Sequence, residues 1–128
     1  MILRYLRIPY VEGGRDESGM DCWAMARAVR HEVYHLPLLP SHSEVAPADK
    51  AAMTAVAQDI IDCTGLKECT AQEGAIAAAW AGRRCVHVGI VVQADGRLWI
   101  LETDEPTGPC LTPVRVFENR YTRVTYYD

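Results

Sequence analysis

Few residues in this 128-residue sequence can act as nucleophiles or proton carriers near neutral pH: five cysteines and four histidines. Among the thiols Cys22 has the most suggestive position. It follows Asp21, a good helix N-cap, and so falls in the first turn of a predicted helix. Unpaired N–H groups and the positive end of the macrodipole favour an anion there. Thiolate is the nucleophilic form of cysteine, and a helix start beside a histidine is a recurring way to stabilise it. His87 is the matching base, a polar side chain inside the apolar strand CVHVGIVV. Strict alternation would put Cys85, His87, Gly89 and Val91 on one face, with Gly89 leaving open space beside the imidazole. Taken singly, Cys22 reads as a small buried hydrophobe and His87 as a hydrogen-bonded core residue. Taken together, they read as nucleophile and base.

These two residues need a helix and a sheet to hold them. Residues 9–19, PYVEGGRDESG, carry loop chemistry. From Asp21 to Leu36 the pattern is helical, with Cys22, Met25, Val29, Val33 and Leu36 on an apolar face. Trp23, Arg27, Arg30, His31 and Tyr34 fall on the opposite side, and Pro37 with Pro40 marks the stop. A second helix is expected over 48–62, with Ala52, Val56 and Ile60 toward the core, covering a sheet. Residues 75–80, 85–92 and 97–103 change to short apolar runs joined by AGRR and QADG, the pattern of an antiparallel meander. Two further strands are expected in 112–117 and 121–127. The sum is one α+β domain.

The run IPYVEGGRDESGMDCWAMARAV resembles the opening motif of the NlpC-type cysteine peptidases: PYxxGG, a polar gap, a glycine, an apolar residue and DCSG at a helix start. HVGIVV resembles their HVGIY strand, and the resemblance extends over residues 8–103. It implies a papain-like core, an N-terminal cysteine-bearing helix packed on an antiparallel sheet of about five strands. It also implies hydrolysis of peptidoglycan stem peptides, typically at γ-D-glutamyl-diamino acid bonds, through a Cys–His thioester mechanism without a cofactor. Carried over by position, Cys22 is the nucleophile and its backbone N–H an oxyanion donor. His87 is the general base, and Tyr10 is an active-site phenol that assists the oxyanion. Trp23, in place of the usual serine, resembles a subset encoded with phage tail proteins, where DCWG is common, and by its position it is expected beside Cys22 and Tyr10 among the oxyanion and substrate-binding residues. Ala24 replaces the usual glycine, and Gly74-Ala75 stands where many members have Gly-Asp. The third catalytic position is His, Asn or Gln in the family, and its best match here is Glu102 in ILET. A carboxylate there could orient the imidazole as the acid of a triad does. Thr103 is the second choice, and an exposed strand-end glutamate is the bland alternative.

Other classes of function fit the sequence less well. His31-Glu32-Val33-Tyr34-His35 matches HExxH, but the pattern meets Pro37 at once, its histidines face away from Cys22, and only Glu44 offers itself as a third zinc ligand. A net charge of −4 gives no basic stripe for nucleic acid or anionic membrane. The amino terminus lacks the apolar run of a signal peptide or spanning helix, so synthesis in the cytoplasm without a leader is expected, with the virion tail as a destination the resemblance suggests. Five cysteines without CxxC spacing fit neither a full disulfide framework nor a four-thiolate zinc site. The partners implied are a peptidoglycan stem peptide and phage tail proteins. A wall-binding or tail protein that keeps the fold without turnover is the alternative from a different class.

Overall fold

A computed structural model describes residues 2–43, 45 and 48–128. A short 3-10 helix, Ile2–Arg7, leads into a two-stranded ribbon of β1 (Arg15–Asp16) and β2 (Gly19–Met20). Helices α1 (Cys22–Glu32) and α2 (Lys50–Cys63) follow. The remainder is mostly sheet: β3 (Glu68–Cys69), β4 (Ile76–Ala81), β5 (Arg84–Ala94), β6 (Arg97–Asp104) and β7 (Gly108–Pro113), then α3 (Val114–Asn119) and β8 (Arg123–Tyr127). The six strands β3–β8 form one antiparallel sheet in the order β3-β8-β4-β5-β6-β7. Strands β4 to β6 are the expected meander, β7 extends it by a strand that lies mostly ahead of the one expected at 112–117, and β8 returns to pair with β4. No helix among the described residues is long and apolar enough to cross a membrane.

The sheet buries both faces. On one, Val88, Ile90, Val92 and Leu101 pack with Met25 and Val29 of α1 and Met53 and Ile60 of α2. On the other, Ala75, Ala77, Ala79, Val91 and Ile100 surround Phe117 of α3. The small alanines leave room for that ring, whose full burial contributes about 1.5–3 kcal/mol. Residues 112–117 are therefore not a strand throughout. The strand stops at Pro113, and Val114 and Phe117, three residues apart, share the face of a helical turn that reaches the sheet.

A bulge decides which way His87 points. In the β4–β5 ladder Ala79 is opposite His87 but Trp80 is opposite Cys85, so Val86 is an extra residue. Cys85 and His87 consequently face opposite sides of the sheet, not one side as simple alternation requires. Cys85 joins the core under α1 and α2, while His87 stacks near Phe117 with ring centroids 6.0 Å apart.

Helix α1 also departs from the amphipathic reading. It is covered on nearly every side, and Trp23 and Arg30, assigned to solvent by periodicity, are 8% and 4% exposed. Trp23 Nε1 donates to Pro40 O at 2.9 Å, tying the following loop over the helix. Arg30 Nη1 donates to Gly74 O at 2.7 Å and to Asp128 Oδ1 at 2.8 Å, which compensates its burial. The helix stops at Glu32, short of Leu36, with Val33 as C-cap and His35 in the left-handed region at φ 56°.

Candidate active site

Asp21 builds the platform for Cys22. Its Oδ1 accepts the Ala24 amide at 2.9 Å, the N-cap bond, and its Oδ2 accepts Arg15 Nη1 at 2.6 Å. Arg15 also holds Gly14 O, Ser41 O and His42 O, so one cation fastens the glycine turn and the loop after α1 to the helix start. The turn itself depends on Gly14, where a Cβ would lie 2.3 Å from Gly19 O. Cys22 is thus fixed at the first helical position, 3% exposed, with its own amide among those that have no acceptor within the helix.

His87 enters from β5. Its Nε2 lies 2.9 Å from Glu102 Oε1, and both residues are buried, 3% and 4% exposed. Cys22 is close enough to act electrostatically on the imidazole, and Nδ1 is the ring nitrogen that Glu102 leaves open. Asp104 Oδ2 stands 3.9 Å from that Nδ1. Burial by itself disfavours the imidazolium, but the hydrogen bonds and charges of Cys22 and Glu102 outweigh it and push His87 up to about 9. A protonated imidazole beside the sulfur is the counter-ion a thiolate needs.

Glu102 is not the exposed strand-end residue that the sequence allowed. It accepts His87 Nε2, Thr112 Oγ1 from β7, and Arg120 Nη2 at 2.7 and 2.9 Å on its two oxygens. Burial works to raise its carboxyl, but these bonds win and hold it below the usual carboxylate range. The neighbouring glycine serves this contact. A Cβ on Gly89 would sit 2.6 Å from Ile100 Cγ2 and 3.1 Å from Leu101 O, so there is no open space beside it. Its hydrogen instead lets β6 approach β5 closely, just where the paired ladder ends at Ile90 and Leu101.

Tyr10 lies at the same mouth. It bridges to Met20, and its phenol is an electrostatic neighbour of Cys22 and Asp104, though the hydroxyl donates to Glu12 Oε2 at 2.9 Å. Burial first, then Glu12, drives the phenol well above its ordinary range, so it stays a hydrogen donor. Beyond Glu102 opens a cavity of about 300 Å³ lined by Asp104, Glu105, Thr107, Cys110, Arg120 and Tyr121.

The chain matches no protein-family model, no curated protein and no solved structure. The geometry therefore stands by itself.

Cys22, His87, Glu102 and Tyr10 come together, whereas Trp23 does not join them. Its indole lines an apolar cavity of about 50 Å³ under α2 with Met53, Val56 and Val88. Thr103, the second choice for the third position, is fully buried, and its hydroxyl has no hydrogen-bond partner. Arg120 and Thr112 were missed. Neither belongs to a motif, and each reaches Glu102 across a turn or strand whose register no local pattern reports. The HExxH run loses its helical face after Glu32, and His31 Nδ1 contacts Leu36 O at 2.9 Å. Glu44 lies outside the described residues. Among the described residues no three His, Cys, Asp or Glu side chains gather in a metal-holding group.

Proposed function

We propose that this chain is a cysteine hydrolase of amide bonds, with Cys22 as nucleophile, His87 as proton carrier and Glu102 as the group that orients the imidazole. The observation that carries the reading is the 2.9 Å contact between His87 Nε2 and Glu102, with Cys22, at a helix start, acting electrostatically on the same imidazole. In the first step Cys22 Sγ attacks the carbonyl carbon, and the oxygen becomes an oxyanion facing the Cys22 amide. Tyr10, released from Glu12, is the second donor. His87 then gives its Nδ1 proton to the departing amine, leaving a thioester. A water loses its proton to His87, attacks the thioester carbonyl, and frees the acid as sulfur departs, which restores the thiolate and imidazolium.

The resemblance of the PYVEGG, DCWA and HVGIVV runs to NlpC-type peptidases points this chemistry at peptidoglycan stem peptides. It also makes a phage tail the natural setting. The test is digestion of purified peptidoglycan with mass analysis of the released fragments. The expected result is cleavage within the stem that survives EDTA and vanishes in Cys22→Ala. Cleavage lost on chelation and restored by zinc would return the chemistry to His31 and His35. Binding without cleavage, by a protein whose Cys22 is unreactive, would make it a wall-binding or tail module.

A further inference from the structure

Resting on that reading, we propose that Arg120 is a positioning residue of the site: by gripping both oxygens of Glu102 it keeps the carboxylate ionised and aimed at His87 Nε2. A carboxylate buried to this degree is costly as an anion unless a cation or several donors satisfy it. His87 and Thr112 each reach one oxygen, Oε1 and Oε2 respectively. Arg120 Nη2 alone contacts both, at 2.7 and 2.9 Å, and so fixes the plane of the carboxylate as well as its charge. The guanidinium is itself held, 5.1 Å above Phe117 and 5.3 Å from the Tyr121 ring, the two rings that also flank His87. Arg120 thus touches neither the nucleophile nor the base, yet the same aromatic pair and the same carboxylate connect it to both.

The charged and titratable groups around this unit come from several elements. Cys22 from α1 and Tyr10, with Glu12, from the preceding loop face the sulfur side of His87. Asp104 on β6 stands near Nδ1, Cys110 on β7 is opposite Glu102, and Tyr121 adjoins Arg120. Arg120 is the cation that contacts Glu102 besides a protonated His87. Without it, the balance between burial and hydrogen bonding at Glu102 moves toward the neutral acid, which no longer favours imidazolium. The effect of losing Arg120 must therefore be largest on the acid side.

The experiment measures iodoacetamide alkylation of Cys22 against pH in the full chain, a readout that needs no peptide substrate. In Arg120→Ala the rate should fall about tenfold near pH 5 and by less near pH 8, the acid limb moving to higher pH. Side-chain exposure of 44% and the adjoining cavity leave room for added methylguanidinium, which should restore most of the rate. Arg120→Lys should keep part of it. In a Glu102→Gln background, Arg120→Ala should change nothing further, because the carboxylate it serves is gone. Equal loss at both pH values without rescue would reduce Arg120 to a fold-stabilising residue and overturn the proposal. So would a wild-type profile in Arg120→Ala. If Cys22 proves unreactive in the wild-type protein, the underlying assignment of the nucleophile fails instead.

Discussion

Glu102 and His87 form a buried hydrogen-bonded pair, 2.9 Å between Oε1 and Nε2, that joins β6 to β5 beyond the last paired rung of their ladder. The carboxylate helps to hold the imidazole protonated to about pH 9. Glu102→Gln keeps an acceptor but removes the charge, so the alkaline limb of activity should move to lower pH. The raised His87 value also has a stability consequence. Its contribution is complete below about pH 6.5 and is lost as the pH rises toward about 9. Melting temperature should fall across that window in the wild type and more gently in Glu102→Gln. Identical pH profiles in the two proteins would remove Glu102 from the site.

Cys22 should label first among the five thiols with iodoacetamide near neutral pH. Cys63 is exposed, but its hydrogen bond to Asp59 and that residue's charge raise its pKa. Burial pushes Cys85 up to about 11, and burial followed by Asp128 raises Cys69. Peptide mapping after brief alkylation checks the order. Faster modification of any other cysteine in the folded protein would refute the nucleophile assignment.

Tyr10→Phe should lower kcat by roughly a hundredfold, the usual effect of losing one oxyanion donor. KM should change little. Glu12→Gln should act in the opposite sense or weakly, since it loosens the bond that competes for the phenol at 2.9 Å. A Tyr10→Phe enzyme with undiminished kcat would leave the Cys22 amide as the sole donor.

Gly89→Ala should destabilise the fold by about 1–3 kcal/mol, because the new methyl meets Ile100 Cγ2 at 2.6 Å. The strand that must yield is the one carrying Glu102. Activity should therefore fall further than the unfolded fraction accounts for, and denaturant titration beside rate measurements separates the two losses. Full stability in Gly89→Ala would show that β6 has slack here.

Residues with local signatures were the ones legible in the sequence. Asp21 reads as a cap because the cap bond spans three residues, and the meander reads from its apolar runs and turns. What escaped was set by distant geometry. The single extra residue at Val86 reverses the parity of the strand before His87, and nothing in CVHVGIVV marks it. Trp23 and Arg30 looked solvent-facing because periodicity knows one partner surface, whereas α1 is covered on several sides. Residues 112–117 read as a strand, but the bed of alanines makes a short helix after Pro113 the better way to bury Phe117. Glu102 was found through the family resemblance, but its clamp was not, since Arg120 is eighteen residues away on a separate element.

The acidic rim of the site has a kinetic consequence. Glu12 and Asp104 are exposed beside Tyr10 and His87, with Arg120 largely engaged by Glu102. Such a rim gathers cations from solution and repels anions before any contact is made. A positively charged methanethiosulfonate should therefore capture Cys22 faster than its negatively charged counterpart. Added salt should bring the two rates together as the Debye length shrinks to a few ångströms at about 1 M. Substrate selection at this site would then begin in the approach, with cationic peptides arriving more often than neutral ones of the same shape.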